Sequence, residues 1–223
     1  MRRSAINAMI KDAEGLFARH QIALPPWASW SRADWLKHPD TASFCRLRQM
    51  GWDVTDFGKG EFAQRGLLLL CLRNGIQGNP DERPYAEKLL VVGENQETPY
   101  HFHKVKMEDI IVRGGGTLII ETYANDESGG PSDRPVMVQL DGRHRTVAPR
   151  EPISLTAGES ITVERGVVHR FYGAPGKGVV VVGEVSQVND DLSDNYFPEP
   201  VGRFATIEED AEPYRLLWNE LPG

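Results

Sequence analysis

With 223 residues, 40% of them hydrophobic and 26% charged, the chain is long enough to bury one sizeable core and shows no low-complexity tract. A formal net charge of −7 without any basic block argues against nucleic-acid and anionic-membrane partners. No apolar run approaches the length needed to span a bilayer, so no membrane association is expected.

Residues 4–19 place Ile6, Met9, Ile10, Ala13, Leu16 and Phe17 at helical spacing, with Ser4 positioned as an N-cap. Lys11, Asp12 and Glu14 interrupt this amphipathic stretch, which is not the pattern of a secretory signal. Pro25-Pro26 ends it. Trp27, Trp30 and Trp35 follow as candidate packing or subunit-contact surface. Ser31 with Asp34 forms a capping arrangement for a short helix through Lys37, which His38-Pro39 stops. Cys45 and Cys71 offer neither a CxxC motif nor a disulfide framework. Two such thiols suit a reducing compartment, and a cytoplasmic location is expected.

From about residue 50 the pattern changes to short strand-like runs separated by Gly, Asn and Pro. They fall at 66–73, 87–93, 100–103, 107–112, 117–123, 136–140, 153–155, 160–164, 167–172 and 179–186. Asn74-Gly75 and Asp141-Gly142 supply turns. About ten such strands without a crossover helix predict an all-β, closed or double-sheet architecture. Asn189–Pro200 is polar and aromatic, and Thr206 with Glu209 suggests a cap for a helix running toward Trp218. The expected organisation is a single domain over residues 1–223: a helical segment at 1–50, a β-barrel at 51–186, and a C-terminal extension at 187–223.

Two stretches carry the chemistry. In GENQETPYHFHKVKMEDIIVRGGG, His101 and His103 alternate on an extended segment and project from one face. Glu108 follows after four intervening residues, ahead of an apolar run and a triple glycine. Two imidazoles and a carboxylate can hold a divalent transition metal and leave coordination sites open. In GESITVERGVVHRFYG, a strand, a glycine turn and a returning strand present His169, a candidate fourth donor.

Together these stretches resemble the paired motifs of the cupin superfamily over residues 85–186, with departures at Glu164, where proline is usual, and Gly173, where asparagine is usual. The resemblance implies a jelly-roll β-barrel with added N- and C-terminal helices, and one metal held by His101, His103, Glu108 and His169. The amphipathic start, the PPWASW segment and both motif runs are similar, across nearly the full length, to cupin-type D-lyxose isomerases. That likeness implies interconversion of D-lyxose and D-xylulose, and of D-mannose and D-fructose, with Mn²⁺, in a homodimer.

For aldose–ketose isomerisation a base must move a carbon-bound proton between C1 and C2. Glu184, a carboxylate inside the apolar run 178–185, is the first candidate; burial would raise its pKa, and the alternative is an outward-facing surface residue. Lys106 shares the face of Glu108 if the strand is regular, as an acid or oxyanion partner, or else is a solvated lysine beside Lys104. Lys88, Asp191, Asp194 and Tyr196 are candidates for contacting sugar hydroxyls. Arg165 and Arg170 form no clear phosphate cradle, so a free sugar is favoured. With one visible metal set, a cis-enediol proton transfer is expected over a two-metal hydride shift. Two other functions use the same ligands: an Fe(II) cupin dioxygenase and a non-enzymatic sugar-binding cupin.

Overall fold

In the computed structural model, which describes residues 1–202 and 205–223, three helices precede twelve strands. The helices are α1 (Arg3–Arg19), α2 (Arg32–Lys37) and α3 (Pro39–Leu47). The strands are β1 (Gly51–Thr55), β2 (Leu67–Arg73), β3 (Tyr85–Val92), β4 (Glu97–His101), β5 (Glu108–Gly115), β6 (Leu118–Tyr123), β7 (Val136–Leu140), β8 (Arg143–Val147), β9 (Ile153–Leu155), β10 (Ser160–Val163), β11 (Val168–Gly173) and β12 (Val180–Gln187). They form an eight-stranded sheet in the order β1-β2-β3-β12-β5-β10-β7-β8 and a four-stranded sheet in the order β4-β11-β6-β9.

Strand alternation explains the layering. Leu67 and Leu69 of β2 join the core between the sheets, with Leu90, Val92, Ile110, Val112, Ile120 and Phe171. Leu68 and Leu70 take the other face and pack under Ile6, Ile10, Ala13 and Phe17 of α1. Val180 and Val182 go inward while Val181 goes outward, so β2 and β12 read as unbroken apolar runs because both faces are covered. The triple glycine has a steric cause. Gly115 has φ +83, and a Cβ there would stand 2.2 Å from the carbonyl oxygen of Val179, the residue just before β12. Gly173 replaces the usual asparagine where a Cβ would lie 2.3 Å from the Gly93 carbonyl oxygen.

This is the two-sheet jelly-roll barrel that the resemblance implies, with several differences in detail. Ser4 is not the cap of α1: Arg2 takes that position, and Ser4 lies inside the helix with its hydroxyl on Asp210 Oδ2 at 2.6 Å. Ser31 and Asp34 do form a capping box on α2. Pro39 stops α2 but also opens α3, because proline is well placed at the first helical position. Two strands, β1 and β8, escaped the apolar pattern. Among its described residues the tail has no helix toward Trp218 beyond the 3₁₀ turn Trp218–Glu220. Its backbone is used elsewhere: Arg3 N donates to Glu208 O at 2.9 Å, Glu209 Oε1 accepts from Arg3 Nη2 at 2.6 Å, and Pro213 breaks the remainder. No described helix is long and apolar enough to cross a membrane.

Candidate active site

Register brings the charged residues together. On β12, Glu184 lies opposite Lys88 of β3 and Ile110 of β5, while Ser186 lies opposite Glu108. Side chains two residues apart share a face, so Lys88, Glu184 and Glu108 all point into the barrel. On the smaller sheet His101 of β4 pairs directly with His169 of β11. His103 comes from the connection between β4 and β5.

One atom from each of His101, His103, Glu108 and His169 lies within 4.8 Å of the others, and all four residues are buried. The tautomers follow from their outer contacts. Nδ1 of His101 meets Pro99 O at 2.8 Å, that of His103 meets Asp194 O at 2.6 Å, and that of His169 meets Val167 O at 3.2 Å. A carbonyl only accepts, so each Nδ1 carries a hydrogen and each ring turns its Nε2 inward. His169 Nε2 makes no hydrogen bond, although Glu108 Oε1 stands 2.9 Å away. Burial, with His169 and His103 adding to it, holds the His101 pKa well below its usual value, and burial with Lys106 lowers that of His103. Neutral imidazoles beside an ionised carboxylate make a donor set that fits a divalent cation. The group could hold a metal ion.

A cation network adjoins it. Lys106 Nζ is 2.9 Å from Glu108 Oε2, 3.0 Å from Glu184 Oε1 and 3.2 Å from Asn189 Oδ1. Lys88 Nζ reaches the same Glu184 oxygen at 3.0 Å and Asn189 Oδ1 at 2.6 Å. Burial alone would lower the Lys106 pKa, but Glu108 and Glu184 outweigh it and raise it, keeping the ammonium. Burial would likewise raise Glu108, but Lys106 and His103 hold it well below the usual carboxylate range. Glu184 faces inward, as its first reading has it, but its pKa differs from expectation: burial pushes it up, and Lys106 and Lys88 outweigh that and lower it.

Both lysines, Glu184, Glu108, His101, His103 and Asp191 line one cavity, with Phe57, Leu67, Leu69, Leu90, Phe171 and Phe197 as its apolar wall. Two sequence candidates lie elsewhere. The Asp194 carboxylate, 1% exposed, is occupied by the backbone N–H groups of Lys104 at 2.8 Å, Val105 at 3.0 Å and Lys106 at 2.9 Å. It shapes the turn that presents Lys106 and is not among the residues that line the cavity. Tyr196 stacks on Phe102 at 5.2 Å with Lys104 over its ring, outside the cavity lining. Asp194→Ala is expected to leave those N–H groups without their acceptor and to cost about 3 kcal/mol of stability, measured by urea unfolding.

Sequence reasoning missed Asn189, Phe197, Asp53, Thr55 and Thr98. Asn189 is fixed by Asn74, whose Nδ2 donates to Asn189 O at 2.7 Å, and Phe197 stacks on His101 at 5.6 Å. Both lie in an aperiodic tail where alternation gives no signal. Arg170 faces away, with its guanidinium on Glu121 at 3.0 Å and on Glu97 at 3.1 Å, and Arg165 Nε donates to Val105 O at 2.5 Å.

The D-lyxose isomerase family model matches residues 1–221. The D-lyxose/D-mannose isomerase of Serratia proteamaculans is 45% identical, covering 99% of this chain and 97% of that protein. The D-lyxose/D-mannose isomerase of Escherichia coli O157:H7 is 43% identical, covering 99% and 98%. Among solved structures, Cellulomonas parahominis L-ribose isomerase with L-ribose superposes with a TM-score of 0.61 at 18% identity, covering 93% of this chain and 98% of that one. That last likeness speaks to the fold alone. By the match along its length and the identity to its relatives, this chain belongs to the D-lyxose isomerase family and is a sugar isomerase.

Proposed function

We propose that the protein interconverts free D-lyxose with D-xylulose, and D-mannose with D-fructose, through a cis-enediol, using one Mn²⁺ per subunit. The observation that carries this is the convergence of His101, His103, His169 and Glu108, of which His101, His103 and Glu108 line the same cavity as the Glu184–Lys106 pair. His101, His103, Glu108 and His169 would hold the ion. Bound there, a divalent ion supplies charge that polarises a carbonyl and its neighbouring hydroxyl.

The chain's own groups do the rest. Glu184 removes the proton from C2 of the open-chain aldose and returns it to C1, while the proton on O2 passes to the adjacent O1 across the cis-enediol, so that no proton is gained or lost overall. Its lowered pKa keeps it ionised, and a sugar oxygen that takes an N–H of Lys106 relieves Glu184 of part of that counter-charge and makes it more basic. The raised pKa of Lys106 suits an oxyanion partner better than a proton donor, so its Nζ stabilises the oxygen that gains charge. Lys88 and Asn189 orient Glu184 and Lys106. The apolar wall excludes water.

A panel of free aldoses incubated with the Mn²⁺-loaded protein tests the activity, with ketose formation as the readout. In D₂O the product ketose is expected to carry deuterium at C1. Full retention of substrate hydrogen with no solvent label would instead indicate a hydride shift. Chelation should abolish turnover, and Mn²⁺ should restore it. We further place the protein in the cytoplasm as a homodimer. The buried thiols Cys45 and Cys71, which burial pushes up to about 11 and about 12, suit a reducing compartment. Light scattering tests the dimer.

A further inference from the structure

The two ends of the cavity carry different chemistry. Glu108 stands on β5, whereas Asp53 and Thr55 stand on the edge strand β1, with β2, β3 and β12 between them. At about 4.8 Å per strand step, four steps around a curving sheet place these groups on opposite walls, yet all three line the one cavity. On β1, Trp52 and Val54 pack outward with Phe17 of α1, which turns Asp53 and Thr55 inward.

An aspartate 3% exposed inside a barrel is costly unless it is held and used. Trp218 holds it, donating its indole N–H to Asp53 Oδ2 at 3.1 Å. The adjacent Leu217 bridges to Trp52, and a Cβ on Gly51 would meet Trp218 Cβ at 3.2 Å, so the C-terminal turn is seated tightly against β1.

A second observation comes from the opposite sheet. Thr98 also lines the cavity, is 5% exposed, and its Oγ1 makes no hydrogen bond. Its neighbour Glu97 accepts from Gly66 N at 3.1 Å, and the next residue, Leu67, pairs with Thr55. Thr98 therefore sits at the β1 end, three residues, or roughly 10 Å along the strand, from His101. A buried hydroxyl without a partner is satisfied at no further cost by a ligand hydroxyl.

From these positions we infer that Asp53, held by Trp218, together with Thr98 of the opposite sheet, binds the hydroxyls on C4 and C5 of the sugar and so decides which free aldoses are accepted. The assignment rests on the isomerase function proposed above. It makes Asp53 and Thr98 specificity-determining residues and Trp218 a positioning residue.

The test is a cycle of variants against deoxy substrates. Wild-type protein, Asp53→Asn, Thr98→Val and Trp218→Phe are each assayed for kcat and KM with D-lyxose and with its 4-deoxy and 5-deoxy analogues. Wild-type protein is expected to lose about 10- to 100-fold in kcat/KM on at least one analogue. Asp53→Asn should lose a similar factor on D-lyxose and little more on that analogue. Trp218→Phe should show the same pattern with a smaller loss, carried more by KM than by kcat. Equal losses of Asp53→Asn on D-lyxose and on both analogues would overturn the assignment. So would wild-type protein that does not distinguish the analogues from D-lyxose, a result that needs no variant to fold. Absence of any aldose turnover by wild-type protein would overturn the isomerase proposal itself, and the subsite with it.

Discussion

Glu184→Gln is expected to lower kcat by about a thousandfold, within the range general base catalysis supplies, while leaving metal content unchanged. The metal ligands should be indifferent because Glu184 bonds Lys88 and Lys106 and none of the three histidines. The substitution also removes a buried negative charge from between two ammonium groups, each 3% exposed. Breaking such a network costs about 3 kcal/mol, so lost activity and lost stability need separating. Lys88→Met added to Glu184→Gln removes one uncompensated cation; stability should return in part and turnover should not. The pH dependence has a definite sign. Glu184 titrates below its ordinary value of 4.5, so its contribution to stability is fully present above that value and is lost as pH falls through the lower folded one. The acid limb of kcat/KM should accordingly lie below the ordinary carboxylate range. Turnover by Glu184→Gln within tenfold of wild type, at equal metal content, would show that another group is the base.

How much of this was legible in the chain depended on periodicity. His101, Glu108 and His169 stood out because strand alternation and glycine turns fix where a strand residue points before any partner is known. Glu184 was visible as a charge inside an apolar run, and Asp53 gave the same signal in GWDVT, but over a strand too short to notice. The sign of the Glu184 shift was not legible. Burial alone predicts a raised pKa, and the two lysines that reverse it arrive from β3 and from the turn before β5 through register and folding. Asp194 and Tyr196 stood out as polar and aromatic residues in a loop, and the structure places both outside the cavity lining. Nothing local to 189–197 says that an aspartate will accept three N–H groups from residues some ninety positions earlier.

Glu108→Gln should have the larger effect on the site as a whole, because one carboxylate faces both the histidines and Lys106. A glutamine in its place donates through one atom where two acceptor oxygens stood. His103 Nε2 at 3.4 Å and His169 Nε2 at 2.9 Å from Glu108 would then face a neutral amide. Loss even of an indirect partner costs a metal site 10- to 100-fold in affinity, so loss of this carboxylate should cost about 100-fold or more. The stability consequence has two parts. Lys106 keeps Glu184 but loses its 2.9 Å partner, which should cost about 3 kcal/mol in metal-free protein. Mn²⁺ at a hundred times its Kd should stabilise the wild type by about 2.7 kcal/mol and the variant hardly at all, which thermal melts with and without metal would measure. The two parts separate on adding Lys106→Met, which should restore the metal-free melting temperature without restoring the response to Mn²⁺. Equal Mn²⁺-induced shifts in wild type and Glu108→Gln would mean that the ion binds elsewhere, and that the buried carboxylate serves only to neutralise Lys106.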